Sequence, residues 1–288
     1  MSKEAINKYN STLYIVPTPI GNLDDITIRS IDTLRTSDYI LCEDTRTSKK
    51  LLIKYNVDVP LFSYHAFNEH KIVSKHVNAL LRGKKISLIS DAGTPLISDP
   101  GHKLISELIK SGIEPVSIPG PCSVISALTL SGMDISNFIF LGFLPKRKIK
   151  ILEVLKKNLS IGVPVVIFAN SKTLKLILHI IKDNFDGTYV SISKEISKIN
   201  EKTISGSTDE ILRDINNSFY NKGEFVLIAK AQIEESVNNS DLKDLISFLQ
   251  ILKEEDVSFK KSVEILNKKF SISKKIIYSE ALKMWDKN

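Results

Sequence analysis

The sequence contains little cysteine, a single tryptophan and no long apolar run. Cys42 and Cys122 are the only cysteines in 288 residues, too few for a disulfide framework and not spaced like metal ligands. No apolar run approaches the roughly 20 residues that a membrane-spanning helix needs, and residues 1–7 lack the apolar segment of a secretory signal. These absences argue against a secreted disulfide protein and an integral membrane protein. We expect a cytoplasmic protein with no metal site and no membrane partner.

Arginine is also scarce, because only 6 of the 40 basic residues are arginine. The net charge of +7 is concentrated in residues 141–160 and 258–288, each of which carries +5. Clustered positive charge indicates a polyanionic partner, above all nucleic acid. A lysine-rich composition is equally typical of an AT-rich genome, and this alternative stays open. If the charge is functional, the candidate RNA-binding residues are Lys146, Arg147, Lys148, Lys260, Lys261, Lys274 and Lys275.

The order of apolar patterns predicts an α/β fold with two α/β domains and a small helical appendage. Short strand patterns alternate with helical patterns over residues 11–142, which favours a largely parallel sheet covered on both faces. A break at residues 143–148 is typical of a linker, and a second α/β domain is predicted over residues 149–232. Residues 236–288 are predicted to form three short basic helices.

Polar or Gly/Pro-rich loops follow four of the predicted strands. The longest, residues 90–101, contains two Gly and two Pro residues directly after a buried apolar run. Ligands in open α/β sheets bind beyond the carboxyl ends of the strands, so these loops predict one ligand crevice. None of them has the G-x-G-x-x-G or P-loop pattern, which argues against a nicotinamide or ATP site of the usual kind. A turn that simply requires Gly and Pro is the alternative for any single loop.

Taken together, these loops resemble the tetrapyrrole methylase superfamily and, more closely, its ribosomal RNA small subunit methyltransferase I family. The matching motifs run in order over about 210 residues and lie at 16–23, 42–46, 90–101, 119–123, 142–145 and 222–226. The resemblance implies S-adenosylmethionine bound in a cleft between two α/β domains. By position, the implied cofactor contacts are Ile20, Ala92, Gly93, Thr94, Ile97, Cys122, Ser123 and Ala169.

The same resemblance implies a homodimeric enzyme that methylates the ribose 2′-hydroxyl of a cytidine in 16S rRNA, free or within the small ribosomal subunit. Two alternatives stay open: a tetrapyrrole or other small-molecule methyltransferase of the same fold, and a non-catalytic ribosome-binding factor. The chain departs from the family pattern at Phe168-Ala169-Asn170-Ser171-Lys172-Thr173, where relatives usually have Phe-Tyr-Glu-Ser followed by His-Arg. It also has Phe67 where relatives often carry a histidine.

A ribose hydroxyl is a poor nucleophile, so we expect a general base at a strand end. Glu43, Asp44 and Asp91 are the candidate bases, with Arg46 as a phosphate or carboxylate partner. The alternative for the 43–46 segment is a helix cap with a local ion pair. His65 and His70 are further acid–base candidates, although a lone histidine is more often structural. Reading a base in RNA requires stacking, for which the candidates are Tyr64, Phe67 and Phe143.

Overall fold

The computed structural model of the chain describes residues 12–214, 219, 222–232, 239–270 and 274–285. The chain divides into two compact units, Met1–Gln232 and Ile233–Asn288. Among the helices described, none is both long enough and apolar enough to cross a membrane.

The first sheet has five parallel strands in the order β3-β2-β4-β1-β5, as the alternating sequence pattern predicts. The central strand β4 pairs with β1 along its full length, and Leu13, Ile86 and Leu88 of these two strands are buried. Because all five strands run the same way, their carboxyl ends lie at one edge of the sheet. The strands are β1 (Thr12–Ile15), β2 (Tyr39–Cys42), β3 (Leu61–Ser63), β4 (Lys85–Leu88) and β5 (Val116–Ser117).

Helices alternate with these strands, and the first four of them cover both faces of the sheet. They are α1 (Ile28–Arg35), α2 (Thr45–Lys54), α3 (Glu69–Leu81), α4 (His102–Lys110) and α5 (Ser123–Leu130). Adjacent strand residues point to opposite faces, so Ile40 joins the core formed with α1 and α2 whereas Leu41 joins the core formed with α3 and α4.

The second sheet is mixed and has the strand order β6-β7-β10-β8-β9. Strands β6 and β7 are parallel, whereas the remaining neighbours are antiparallel. These strands are β6 (Ile139–Phe143), β7 (Val165–Asn170), β8 (Tyr189–Lys194), β9 (Lys202–Ser207) and β10 (Glu224–Lys230). The predicted domain boundary at residue 142 falls inside β6. Since β6 pairs with β7, the chain leaves the first sheet before Ile139.

Helices cover both faces of the second sheet, but one face is covered by a helix from the first half of the chain. One face packs against α6 (Lys148–Leu159), α7 (Ser171–Asn184) and α8 (Thr208–Asp214). The other face packs against α5, where Val124 and Leu128 join Val166, Val226 and Ile228 in one apolar cluster. Helix α5 thus follows β5 of the first sheet along the chain and packs on the second sheet.

Four elements of the first unit, β3, β6, β9 and α6, were not predicted individually from the sequence. Strand β3 has three residues, and strand β9 is an edge strand of mostly polar residues. Both are too short or too polar to give a clear alternating pattern. Helix α6 begins at Lys148, the last residue of the segment predicted as a linker.

The described residues of the C-terminal unit form three helices, in agreement with the sequence pattern. They are α9 (Asn239–Glu254), α10 (Phe259–Lys269) and α11 (Lys274–Trp285). Their apolar faces meet in a small core that includes Leu245, Leu249, Val263, Leu266 and Ile277.

Candidate functional site

A cavity of about 310 Å³ lies between the two sheets, at the carboxyl edge of the first. Loops that follow β1, β4 and β5 line one side, and residues of β6, β7 and β10 line the other. All eight residues that the resemblance assigned to the cofactor line this one cavity: Ile20, Ala92, Gly93, Thr94, Ile97, Cys122, Ser123 and Ala169.

The loop after β4 is held against the loop after β1 by two backbone hydrogen bonds. The N–H of Gly93 donates to the carbonyl of Thr18, and the N–H of Thr18 donates back, both at 2.9 Å. Gly93 has a φ of +81°, and an added Cβ would lie 3.2 Å from Cγ2 of Ile20. A side chain at Gly93 would therefore be strained in the backbone and would crowd the cavity wall.

Thr94 connects the loop after β4 to the loop after β5. Its Oγ1 donates a hydrogen bond of 2.9 Å to the carbonyl of Pro121. The hydroxyl proton is therefore used within the protein, and the lone pairs of Oγ1 remain for a donor on a ligand. The next residues along this loop, Cys122 and Ser123, begin α5, and Cys122 gives the helix no side-chain cap. Uncapped N–H groups at a helix start suit a carboxylate such as that of a methionyl group.

The cavity lining is acidic. Asp91, Asp99 and Glu224 line it, and the lining residues include no lysine or arginine. Glu224 forms an ion pair of 3.0 Å with Lys198, whereas Asp91 and Asp99 form no ion pair with any residue that the structure describes. An acidic cavity with apolar walls suits the sulfonium cation and adenosyl group of S-adenosylmethionine and disfavours a phosphorylated ligand.

Asp99 is the carboxylate of the cavity lining whose pKa is raised. Burial, reinforced by the nearby charges of Glu43 and Asp91, raises the pKa of Asp99 to about 6. Asp99 is not among the general bases that the sequence predicts. Its position in the 90–101 loop was visible in the sequence, but its burial was not.

The four predicted catalytic residues occupy different positions relative to the cavity. Asp91 lines it, whereas Glu43, Asp44 and Arg46 lie outside the lining. Asp44 caps α2: its Oδ1 accepts the N–H of Arg46 at 2.8 Å, and its Oδ2 accepts Nη2 of Arg46 at 2.8 Å. Hydrogen bonds from the Arg46 side chain and backbone lower the pKa of Asp44 to about 2, which makes it a poor base. The geometry matches the helix-cap alternative for this segment.

The remaining acid–base and stacking candidates are distributed around the same edge. His65 and His70 do not line the cavity, and Nδ1 of His65 is buried without a hydrogen-bond partner among the described residues. Tyr64 is buried in the core and is therefore inaccessible for stacking. Phe67 is exposed but lies outside the lining, whereas Phe143 is exposed and lines the cavity.

Comparison with known proteins gives the family. Residues 12–212 match the family described as Tetrapyrrole (Corrin/Porphyrin) Methylases. The chain is 38% identical to the Ribosomal RNA small subunit methyltransferase I of Rickettsia prowazekii (strain Madrid E), over 93% of the chain and 95% of that protein. It is 39% identical to the protein of the same name from Buchnera aphidicola subsp. Schizaphis graminum (strain Sg), over 98% and 100%. The chain belongs to the ribosomal RNA small subunit methyltransferase I family.

Solved structures outside this family share its fold. A cobalt precorrin-4 methyltransferase matches with a TM-score of 0.56 at 16% identity, over 77% of this chain and 95% of its own. Diphthine synthase matches with a TM-score of 0.61 at 14% identity, over 77% and 90%. At these identities the likeness concerns the fold alone.

The departure from the family pattern at residues 168–173 has a structural counterpart. Asn170 caps α7, and its Oδ1 accepts the N–H groups of Lys172 at 3.1 Å and Thr173 at 3.0 Å. The hydroxyl of Thr173 accepts the N–H of Asn170 at 3.0 Å, which completes a reciprocal capping box. Ala169 and Asn170 also line the cavity. The chain thus has a neutral helix cap at the position where the family resemblance leads us to expect a carboxylate.

The basic residues predicted to contact RNA are exposed wherever the structure describes their side chains. Lys146, Arg147 and Lys148 lie three to five residues after the cavity residue Phe143, and Lys260 and Lys261 lie on α10. Lys274 and Lys275 begin α11, and their side chains lie outside the described residues.

Proposed function

We propose that this protein transfers the methyl group of S-adenosylmethionine to the 2′-hydroxyl of a cytidine in 16S rRNA. The observation that carries this proposal is the acidic cavity lined by all eight expected cofactor residues, in a chain whose full-length relatives are named as small-subunit rRNA methyltransferases. The cavity favours a cationic cofactor, whereas the exposed basic residues beside it favour a phosphate backbone.

The protein's residues provide two parts of this reaction, cofactor placement and removal of a proton. When bound, S-adenosylmethionine supplies an electrophilic methyl group that a nucleophile must approach in line. Gly93, Thr94 and the first turn of α5 line the cavity. Their backbone groups and the Thr94 hydroxyl would hold the cofactor. Asp91 would contribute negative charge beside the sulfonium.

We assign the general base to Asp99. A carboxylate whose pKa is raised to about 6 is still mostly ionised at pH 7, and it binds a proton more tightly than an ordinary aspartate. Asp99 would accept the proton of the ribose hydroxyl as the methyl group is transferred. Asp44 and Arg46 instead stabilise the start of α2, since the Asp44 carboxylate accepts hydrogen bonds from the Arg46 guanidinium.

The exposed basic residues after β6 and on α10 would bind the rRNA phosphates. Contacts of this kind are independent of sequence and position the substrate relative to the cavity. Base recognition then depends on groups at the cavity mouth.

We further propose that the protein acts in the cytoplasm as a homodimer, as the family resemblance implies. The chain has a mass of 32.3 kDa, so light scattering on the purified protein should give twice that value. A mass of one chain at micromolar concentration would contradict the dimer.

The decisive experiment compares small-subunit rRNA from cells with and without the gene by mass spectrometry. We expect one 2′-O-methylated cytidine to be lost without the gene, and purified protein with labelled S-adenosylmethionine to restore it. Unchanged rRNA, together with methyl transfer to a tetrapyrrole, would instead support the small-molecule alternative. No heat of S-adenosylmethionine binding and no protection against thermal unfolding would support a non-catalytic ribosome-binding factor.

A further inference from the structure

Phe143 is an aromatic side chain that is both exposed and part of the cavity wall. It is 67% exposed, although phenylalanine is usually buried in a core of this size. Phe67 is more exposed still but does not line the cavity. Phe143 is therefore the stacking candidate that combines access from solvent with a position at the site.

The ring is held in place by an irregularity in β6. The pairing of β6 with β7 shifts register between Phe140 and Gly142, and Gly142 has a φ of +62°. A Cβ on Gly142 would lie 2.9 Å from Oγ of Ser98, so the strand runs directly against the loop that carries Asp99. The β6 bulge thus brings Phe143 to the cavity that Asp99 also lines.

One side of the Phe143 ring is supported by other aromatic residues. The ring centroid of Phe168 lies 5.4 Å from that of Phe143, and Phe168 in turn makes an edge contact with Phe140 at 5.1 Å. This support restricts the Phe143 ring while leaving most of its surface open. A preorganised exposed ring loses little conformational entropy when a flat group stacks on it.

The charges around Phe143 indicate what stacks there. Lys146, Arg147 and Lys148 follow within five residues, are exposed, and form no ion pair with any acidic residue that the structure describes. An exposed ring beside unpaired cations is the combination by which proteins bind single-stranded nucleic acid, with bases on the ring and phosphates on the cations.

We propose that Phe143 stacks on the base of the nucleotide whose ribose is methylated, while Lys146, Arg147 and Lys148 contact the flanking phosphates. This inference rests on the proposed function. Stacking at Phe143 holds the base at the cavity mouth, so that the attached ribose reaches the Asp99 carboxylate. Phe143 is thus a substrate-binding residue and not a cofactor-binding one.

The test compares Phe143→Ala, Phe143→Leu and Phe143→Trp in methyl transfer to small-subunit rRNA from cells that lack the gene. Loss of base stacking should raise the apparent KM for rRNA in the alanine and leucine variants by about 5- to 150-fold. The tryptophan variant should stay within a few-fold of the unchanged protein, because it keeps a ring. The Kd for S-adenosylmethionine, measured by calorimetry, should stay the same in all three.

Phe138→Ala provides the matched control, since Phe138 is an exposed phenylalanine that does not line the cavity. It should leave the KM for rRNA unchanged. Full activity of Phe143→Leu would overturn the stacking role, as would a Phe143→Ala variant that loses S-adenosylmethionine affinity while keeping its KM for rRNA. If the unchanged protein transfers no methyl group to rRNA, the proposed function itself fails, and the stacking proposal fails with it.

Discussion

At the scale of single residues, the carboxyl of Asp99 gives the proposed reaction a characteristic pH dependence. Transfer requires the ionised form, so log kcat/KM should rise with pH up to about 6 and level off above it. Asp99→Asn should lower kcat by roughly 10²- to 10⁴-fold, the usual contribution of a general base. The acid limb of the pH profile should disappear with it.

The same group should also affect stability. Because the folded-state pKa of Asp99 lies above its ordinary value of 3.8, the folded protein binds more protons than the unfolded chain between about pH 4 and 6. The contribution of Asp99 to the free energy of unfolding therefore falls as pH rises from about 4 to 6. Asp99→Asn should be at least as stable as the unchanged protein at pH 7 in urea unfolding. A variant that unfolds more easily at pH 7 would contradict the raised pKa of Asp99. A variant that keeps its full rate of methyl transfer would count against Asp99 as the base.

Thr94 is expected to act on the loops that surround the cofactor. Thr94→Val keeps the shape of the side chain but removes the donor to the Pro121 carbonyl. An unpaired carbonyl should cost about 1–3 kcal/mol, seen as a lower melting temperature together with weaker S-adenosylmethionine binding. Thr33→Val is the control, because the Thr33 hydroxyl donates to Arg29 within α1, away from the cavity. An unchanged Kd for Thr94→Val would show that the hydroxyl has no effect on the site.

At the scale of elements, the loop after β4 depends on a backbone that only glycine adopts easily. We expect Gly93→Val to abolish S-adenosylmethionine binding in calorimetry while the protein stays folded. Gly83→Val is the control that separates backbone strain from blocking of the cavity. Gly83 also has a positive φ, of +91°, but an added Cβ there would have no neighbour within 4 Å. Both variants should lose stability, by about 1–2 kcal/mol from backbone strain. Equal cofactor affinity in the two variants would show that the site lies elsewhere.

Helix α7 begins at the neutral cap that Asn170 provides. Asn170→Ala removes the acceptor for two N–H groups and should reduce the free energy of unfolding by about 0.5–2 kcal/mol. Asn170→Asp should retain most of that stability, since aspartate caps helices as well as asparagine does. Chemical denaturation of both variants measures the difference. Equal stability of the alanine variant would mean that tertiary contacts alone fix the start of α7.

At the scale of the whole molecule, the two compact units separate cofactor binding from part of the RNA binding. Every residue that lines the cavity belongs to the first unit, whereas Lys260, Lys261, Lys268 and Lys269 lie exposed on α10 of the second. Removing residues 233–288 should leave the Kd for S-adenosylmethionine unchanged. It should also weaken rRNA binding and flatten its log–log salt dependence by about 0.7–0.9 per lost phosphate contact.

Replacing the four α10 lysines with glutamine tests the same point without removing the unit. If they contact phosphate, filter binding across a range of salt concentrations should show a lower slope for this variant too. Equal slopes for the full chain, the truncated chain and the glutamine variant would mean that the lysines reflect genome composition.

The amino-acid sequence determined the features that depend on neighbours along the chain. Short apolar runs followed by Gly- and Pro-containing loops predicted the parallel first sheet and pointed to a crevice at its carboxyl edge. The carboxyl ends of parallel strands must meet at one edge, so loop residues as far apart as Ile20 and Cys122 were expected together. Residues of both loops line the cavity.

Tertiary structure decided what depends on burial and on pairing between distant segments. Sequence could not show that β6 pairs with β7, because a parallel partner is chosen by packing and not by the strand's own residues. Nor could it show that Asp99 is desolvated beside Glu43, since a pKa shift arises from groups that the fold brings together. For the same reason Phe143, in a segment predicted as a linker, became part of the cavity wall only when the β6 bulge met the loop after β4.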